Sequence, residues 1–328
     1  MKPLLVTMGD AAGIGPEIVC KAFAAGELAD AIVIGNAGVL RREQRCMLAL
    51  IEHPADLPQV PPGCLPVIEP AGLPPALALL SRGEVHADNG AAAARCIEHA
   101  VQLMLAGAGG AIVTAPVHKE ALAAAGLPYP GHTEMLQALS SSPAVRMMLA
   151  NSELRVVLVT IHMALRDAID AVSFDAVLST LQIAHHAAAA WGQSHPRIAV
   201  AGLNPHAGEG GLFGSEEQTI IGPAVQAAQQ AGIAASGPFA PDTVFMRARR
   251  GEFDIVVAMT HDHGLIPVKY LGVEDGVKVT LGLPFVRTSP DHGTAFDIAG
   301  RGVADPTSLV AAMCMARQLA QHQQPQQS

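Results

Sequence analysis

Short runs of β-branched and other apolar residues alternate along the chain with longer alanine-rich stretches. The apolar runs predict buried strands at residues 3–8, 31–35, 111–114, 145–150, 156–161, 198–203, 255–259 and 277–281. The alanine-rich stretches predict helices at residues 16–25, 90–106, 119–125, 174–191, 216–231 and 306–319. Strands that alternate with helices in this way predict an α/β protein with mostly parallel strands.

The length of the chain predicts two domains. Its 328 residues exceed the size at which a single hydrophobic core stops growing. A break near Pro128-Tyr-Pro-Gly predicts the first boundary, and the return crossing is expected near 284–288. The first domain is therefore predicted at residues 1–128 plus 285–320 and the second at residues 129–284, and the polar tail at residues 321–328 is expected to be disordered.

Charge and cysteine usage narrow the class of protein. The net charge is −9 and no run of Lys or Arg stands out, which argues against nucleic acid or an anionic membrane as a partner. No run of 18 apolar residues exists, and the first residues lack the features of a signal peptide. The five cysteines are scattered and lack CxxC spacing, so a reduced, cytoplasmic protein is expected.

Three histidines each follow a predicted strand. They are His162 in Thr-Ile-His-Met, His206 in Asn-Pro-His-Ala-Gly-Glu and His261 in Thr-His-Asp-His-Gly. Side chains at the carboxyl ends of parallel strands meet at the edge where open α/β sheets bind ligands. Three imidazoles there would suit a divalent transition metal with one position left open, whereas the simpler interpretation is that each histidine caps a strand.

Other polar residues allow both a structural and a functional interpretation. Thr133 has the position of a helix cap, with His132 directed to the ligand edge, and Asp242 either caps a helix or transfers a proton. Lys269, Lys278 and Arg287 are compatible with an oxyanion pocket, or they are ordinary surface charges.

The loop at residues 9–17, Gly-Asp-Ala-Ala-Gly-Ile-Gly-Pro-Glu, is either a structural strand-to-helix turn or a ligand loop. It matches neither a dinucleotide fingerprint nor a P-loop.

Seven segments together resemble the 4-hydroxythreonine-4-phosphate dehydrogenase family. They run in order from residue 8 to about residue 302: MGDAAGIGPE, TAPVHKEAL, YPGHTEML, NPHAGEGGLFG, GPFAPDTVF, HDHGLIPVK and GLPFVRTSPDHGTAFDIAGRG. The resemblance implies a two-domain α/β/α sandwich of the isocitrate/isopropylmalate dehydrogenase type. It also implies a homodimer whose interdomain active site is completed by the partner subunit, and NAD binding without a Rossmann fingerprint, although individual cofactor contacts stay unassigned.

The resemblance also implies roles for particular residues. The family's metal ligands fall on His162, His206 and His261. Its substrate contacts fall on a second set: His132, Thr133, Lys269, Lys278 and Arg287.

Four positions depart from the family pattern, which usually has Asn at 278, Gln at 263, Pro at 11 and Asn at 118. Here they hold Lys278, His263, Ala11 and His118. The ammonium of Lys278 favours a more anionic ligand. The strings APDTVF and GTAFDIAG are similar to the branch that acts on threonate 4-phosphate. A third branch oxidises cis-dihydrodiols of aromatic dicarboxylates, whose carboxylates Lys278 and Arg287 would also pair with.

The implied reaction is a metal-dependent oxidation with decarboxylation of a small phosphorylated hydroxy acid. A divalent ion (zinc, cobalt or magnesium) would acidify the substrate hydroxyl as hydride leaves for NAD, with NADP as an alternative cofactor. Lys269 and Arg287 would clamp the phosphate, and His132 or Asp242 would relay a proton, with Lys269 a further catalytic candidate. The competing hypotheses are a metal-dependent phosphatase and a metal-dependent binding protein without activity.

Overall fold

The computed structural model describes residues 2–43, 46–272 and 275–322. The strands are β1 Leu4–Thr7, β2 Ala31–Ile34, β3 Met47–Leu50, β4 Cys64–Ile68, β5 Ala111–Thr114, β6 Arg146–Ala150, β7 Arg155–Leu158, β8 Ile198–Ala201, β9 Ala235–Phe239, β10 Ile255–Ala258, β11 Val277–Leu281 and β12 Arg287–Pro290. The helices are α1 Gly15–Ala24, α2 Ala37–Arg41, α3 Ala87–Leu105, α4 Lys119–Ala124, α5 His132–Leu139, α6 Leu165–Ala171, α7 Phe174–Ala188, α8 Gly222–Gln230, α9 Val244–Arg249, α10 His261–Tyr270 and α11 Thr307–His322.

The chain folds into two compact units. The first combines Met1–Pro143 with Leu283–Ala320, and the second contains Ala144–Gly282. The first crossing therefore lies after Pro143 rather than near the predicted break at 128, because α5 packs against α3 of the first unit. The return crossing lies next to the predicted one.

The first unit is built on a parallel sheet with the strand order β3-β4-β2-β1-β5-β12. Every residue of β1, β2 and β5 is buried, which is typical of parallel strands covered by helices on both faces. The carboxyl ends of β1 and β5 are the places where the glycine-rich loop at residues 9–17 and the turn before α4 begin.

The second unit has the strand order β11-β6-β7-β10-β8-β9. Strands β7, β10, β8 and β9 are parallel, whereas β6 is antiparallel to both β7 and β11. The prediction of an α/β fold with mostly parallel strands is thus confirmed. Leu265 and Val268 of α10 and Phe245 of α9 pack on Val156 and Val256 of the sheet and fix both helices to it.

The elements that the pattern did not predict are strands β3, β4, β9 and β12 and helices α2, α6, α9 and α10, and of α5 only the start was anticipated. Pro66, Pro238, Pro267 and Pro290 lie in four of these elements, so their composition resembles that of connections. Of the predicted disordered tail, Gln321 and His322 belong to α11, and residues 323–328 lie outside the described residues. In the part of the chain that the structure describes, no helix is long and apolar enough to cross a bilayer.

Candidate metal and substrate site

His162 and His261 lie close together because the strands that precede them are paired. Strand β7 pairs with β10 in parallel, and the ladder continues past both strands through Thr160 N, which donates to Met259 O at 3.2 Å. The ring centroids of the two histidines are 5.5 Å apart, at an interplanar angle of 48°. Two imidazoles bound to one tetrahedral zinc ion, with Zn–N of about 2.0–2.1 Å, have centroids roughly 5 Å apart. The spacing of the pair therefore suits a shared divalent ion.

Asp262 orients the ring of His261. Nδ1 of His261 lies 2.7 Å from Oδ1 of Asp262, and the two side chains are 36% and 79% exposed. When Nδ1–H donates to the carboxylate, the unprotonated Nε2 is left to bind a metal. His261 thus carries the outer hydrogen bond that metal-ligating histidines usually have.

His206 follows β8, the strand on the other side of β10, in a loop of unusual backbone. Five consecutive residues, His206 to Gly210, have φ between 43° and 78° and so lie in the left-handed region. Non-glycine residues rarely adopt this conformation, so surrounding contacts must hold the loop in place.

The buried carboxylate of Glu217 supplies those contacts. It accepts hydrogen bonds from the backbone N–H groups of Leu203 and Asn204, both at 2.7 Å, and from the side-chain amide of Asn204 at 3.0 Å. These bonds fix the entrance to the loop and therefore the direction in which His206 leaves it.

The three predicted metal ligands do not form one cluster within the chain. Among residues 2–43, 46–272 and 275–322, no three His, Cys, Asp or Glu side chains are close enough together to hold a metal ion. His206 instead lines a groove of about 690 Å³ within the second unit. Asp242, Asp262 and His263 line the same groove, so His206 shares a surface with the Asp262 that orients His261.

The two lysine candidates belong to the second unit, Lys269 to helix α10, which borders the groove, and Lys278 to strand β11. Lys269 lies in the last turn of α10, the helix that begins at His261, and both it and Lys278 of β11 are half-buried. Eight residues of helix separate His261 from Lys269, which corresponds to a rise of roughly 12 Å. Side chains on a helix lean toward its N-terminus, so the side chain of Lys269 is directed toward the end of α10 at which His261 lies.

Arg287 is a buried cation in the first unit. Its Nη2 donates to Oγ1 of Thr114 at 2.5 Å, and this hydrogen bond joins the start of β12 to the end of β5. Burial lowers the pKa of Arg287 to about 10, and the nearby Glu134 opposes that shift. Glu134 lies in the first turn of α5, directly after His132 and Thr133, so that turn lies within electrostatic reach of Arg287. At neutral pH the guanidinium stays charged.

The sequence prediction overlooked a set of buried polar residues in the first unit. Thr7 Oγ1, Asp10 Oδ2 and both side-chain amide atoms of Asn89 are buried without a hydrogen-bond partner. Burial raises the pKa of Asp10, although Ala12 N donates to its other oxygen at 2.9 Å. Thr7 is the last residue of the buried strand β1 and Asp10 follows three residues later, which is a usable signal, whereas Asn89 sits at an ordinary helix start that offers none.

The predicted site residues therefore fall into two sets. The first unit holds His132, Thr133 and Arg287, and the second holds His162, His206, Asp242, His261, Lys269 and Lys278. Within the second unit the structure brings His162 beside His261 and places His206 and Asp242 on one groove.

Comparison with known proteins gives this geometry a context. Residues 27–316 match the model of a family described as "Pyridoxal phosphate biosynthetic protein PdxA". A 4-hydroxythreonine-4-phosphate dehydrogenase of Beijerinckia indica is 52% identical, over 97% of this chain and 95% of that protein. A D-threonate 4-phosphate dehydrogenase of Pectobacterium atrosepticum is 48% identical, over 97% of this chain and 99% of that protein.

Solved structures show the same similarity. The crystal structure of a 4-hydroxythreonine-4-phosphate dehydrogenase from Klebsiella pneumoniae superposes with a TM-score of 0.91 at 46% identity and covers 98% of both chains. A terephthalate 1,2-cis-dihydrodiol dehydrogenase from Burkholderia xenovorans gives a TM-score of 0.69 at 31% identity, over 96% of this chain and 97% of that one.

Proposed function

The chain belongs to the PdxA family of pyridoxal phosphate biosynthetic proteins, and from that premise we propose that it oxidises and decarboxylates a phosphorylated four-carbon 3-hydroxy acid. NAD is the proposed hydride acceptor and a divalent metal ion the second cofactor. The candidate substrates are those in the names of two relatives, 4-hydroxythreonine 4-phosphate and D-threonate 4-phosphate. The observation that carries the proposal is the pair of imidazoles 5.5 Å apart at adjacent strand ends.

In the proposed site, His162 and His261 hold the metal from one chain, with Asp262 orienting His261. A bound divalent ion would supply a Lewis acid that lowers the pKa of the substrate hydroxyl. Imidazole ligands favour zinc or cobalt over magnesium by softness. The chain's own contribution is to fix two ring nitrogens and to leave the remaining coordination positions open.

We assign the third ligand to a second copy of the chain, because His206 forms no metal-sized group with His162 and His261 in its own chain. The proposed homodimer places His206 of the partner subunit against the His162–His261 pair. Its contact surface is the groove of the second unit, whose rim carries the exposed side chains of Ile266 and Tyr270. Exposed apolar side chains around a groove of this size are typical of a protein interface.

The charged residues have separate proposed roles. Lys269 and Arg287 bind the phosphate, the first from the last turn of α10 and the second from its buried position on Thr114. Asp242, exposed on the groove, and His132, at the start of α5, are the proposed proton relays, and Lys269 is a further catalytic candidate. Thr133 contacts substrate through its hydroxyl.

Lys278 favours the acid-sugar substrate. An ammonium in β11 would pair with the carboxylate of threonate 4-phosphate, whereas the amino group of 4-hydroxythreonine 4-phosphate would lie near a like charge. We therefore propose D-threonate 4-phosphate as the preferred substrate and a cytoplasmic location for the reaction. NADP remains the alternative acceptor to be tested beside NAD.

A second candidate is the oxidation of a cis-dihydrodiol of an aromatic dicarboxylate. It is favoured by the similarity to the Burkholderia xenovorans enzyme, at 31% identity, and by the two cations Lys278 and Arg287, which would also bind two carboxylates. The higher identity to phosphate-acting relatives, 52% and 48%, makes it the lesser candidate. The same relatives argue against a metal-dependent phosphatase.

The experiment is a substrate panel read by NADH absorbance. Purified protein is assayed with D-threonate 4-phosphate, 4-hydroxythreonine 4-phosphate and a terephthalate cis-dihydrodiol, each with NAD or NADP and with zinc, cobalt, magnesium or chelator. Reduction of NAD with D-threonate 4-phosphate that chelator abolishes is the expected result. Turnover that persists at full rate in chelator would refute the metal's role, and release of inorganic phosphate without NADH would refute the dehydrogenase.

A further inference from the structure

Two cysteines of the first unit face each other at short distance. Cys20 lies in α1 and is fully buried, and Cys46 lies between α2 and β3 and is half-buried. Their sulfur atoms are 3.6 Å apart although 26 residues separate them in the sequence. A disulfide has an S–S distance of about 2.05 Å, so the two sulfur atoms need to close by roughly 1.6 Å.

The surroundings allow the sulfur atoms to approach each other by movement of Cys46 alone. Cys20 is held within a helix and its sulfur contacts the carbonyl oxygen of Leu40 at 3.8 Å. Cys46 lies outside helices and strands, where the backbone is not fixed by a hydrogen-bonded ladder. A small movement of Cys46 toward a stationary Cys20 is therefore sufficient.

The two thiols also differ from the other buried cysteine of this unit. The hydrogen bond with Cys20 lowers the pKa of Cys46, and this outweighs the opposing effect of partial burial. By contrast, complete burial raises the pKa of Cys96 to about 12 and leaves it a neutral thiol. A thiolate is the form that reacts with oxidants, so Cys46 is expected to react faster than Cys96.

We propose that Cys20 and Cys46 form a reversible intramolecular disulfide when the protein meets hydrogen peroxide. The half-buried Cys46 reacts with the oxidant, and the buried Cys20 resolves the product. This modification site is separate from the proposed metal and substrate residues and does not depend on the activity of the protein.

The chemistry balances in two steps. The Cys46 thiolate attacks one peroxide oxygen, so that an S–O bond forms, the O–O bond breaks and hydroxide leaves to become water. The Cys20 thiolate then attacks the sulfenic sulfur, so that the S–S bond forms and the S–O bond breaks, which releases a second water. The two thiols lose two electrons in total and one hydrogen peroxide is reduced to two waters. A dithiol reductant reverses the reaction by thiol–disulfide exchange.

The cross-link would join α1 to the segment that follows α2. That segment is already tied to the rest of the unit by Arg42, whose guanidinium donates to the carbonyl oxygens of Ala11, Ala78 and Leu80 at 2.8 to 3.2 Å. Ala11 belongs to the glycine-rich loop at residues 9–17. Arg42 would thus connect the segment that carries the disulfide to that loop.

Peptide mapping of the full-length protein tests the proposal. The protein is treated with hydrogen peroxide, blocked with iodoacetamide and cut with glutamyl endopeptidase. Cleavage after Glu17, Glu27, Glu43 and Glu52 places Cys20 and Cys46 on separate peptides that contain no other cysteine. The expected result is a linked Cys20–Cys46 peptide pair in the treated sample, which dithiothreitol removes.

Two variants serve as controls. C46S should abolish the linked pair, and C64S, which removes another half-buried cysteine of the same unit, should leave its yield unchanged. The wild-type measurement is decisive by itself if a variant fails to fold. Oxidation of Cys46 to sulfinic or sulfonic acid without the linked pair, or linkage of Cys46 to a different cysteine, would overturn the proposal.

Discussion

At the scale of single residues, the ring of His261 owes its orientation to the neighbouring carboxylate of Asp262. Their contact of 2.7 Å selects the tautomer that leaves Nε2 as an acceptor. Loss of such an outer partner typically lowers metal affinity about 10–100-fold even though no ligand is removed. The proposed metal site can therefore be tested through a residue that does not touch the metal.

We expect Asp262→Asn to weaken zinc binding by about one order of magnitude or more, because the amide no longer fixes the imidazole tautomer. The measurement is competition with a chromogenic chelator. Asp175→Asn, at an exposed carboxylate in the first turn of α7, is the matched control and should bind zinc like the wild type. Equal affinity in all three proteins would contradict the role given to Asp262.

Asp10 gives the folded protein a pH dependence. Because burial raises the pKa of Asp10 above its ordinary value of 3.8, the folded state holds this proton more tightly than the unfolded chain. Its contribution to stability is present below pH 3.8 and is lost as the pH rises through the raised pKa. Once ionised, the carboxylate is a buried charge, and one of its oxygens lacks a hydrogen-bond partner.

We expect Asp10→Asn to be more stable than the wild type at pH 8, because the amide removes the buried charge and its oxygen can still accept from Ala12 N. The difference should shrink as the pH is lowered toward 4. Urea unfolding across this pH range measures it, and Asp297→Asn, at an exposed site in the same unit, is the control. A stability difference that does not change with pH would refute the assignment.

At the scale of elements, the loop of His206 depends on an acid that lies outside it. Glu217 accepts two backbone N–H groups at 2.7 Å, and without it those buried donors would be unsatisfied. The neighbouring Glu216 accepts from the side-chain amide of Asn204 at 2.7 Å and is half-buried. The two adjacent glutamates therefore differ sharply in what they support.

We expect Glu217→Ala to lower the free energy of unfolding by about 2–4 kcal/mol, since two buried donors each lose their partner. Glu216→Ala should cost less than about 1 kcal/mol. The measurement is chemical denaturation of each variant. If the two variants were equally stable, Glu217 would not be what fixes the entrance to the loop.

Whether an element could be predicted from the sequence depended on its composition. Strands such as β1, β5 and β10 were predicted because they are runs of apolar residues, with only a final threonine in β1 and β5, and every residue is buried. Strand β9 and helix α10 were missed because each contains a proline that the fold tolerates through contacts made elsewhere. The pairing of His162 with His261 followed from the rule for parallel strand ends. The left-handed backbone at His206 could not be foreseen, because it is imposed by Glu217 across a loop rather than by local sequence.

At the scale of the whole molecule, the apolar surface around the groove of the second unit is the feature that points beyond one chain. Tyr270 is 89% exposed and Ile266 is 63% exposed, and both residues line the groove. Large side chains left in water at such a place are candidates for the few residues that carry most of the binding energy of an interface.

We expect Tyr270→Arg to raise the dissociation constant of the proposed homodimer at least about tenfold, which corresponds to the loss of one aromatic contact. Sedimentation velocity over a concentration series measures it. Leu79→Arg, at a side chain that is 86% exposed in the first unit, is the control and should leave the association unchanged. A protein that is monomeric at every concentration before mutation would rule out the homodimer.

Strand β12 pairs with β5 in the first unit, but it lies in a stretch of chain that begins at Leu283 and follows the strands of the second unit in the sequence. During synthesis, the edge of β5 must therefore stay unpaired until nearly the whole polypeptide has been translated, whereas the six strands of the second unit all lie within Ala144–Gly282 and can fold earlier. A nascent chain that stalls before residue 283 would expose that edge to pairing with another molecule. Premature termination before residue 283 should thus cause aggregation rather than merely a shortened enzyme.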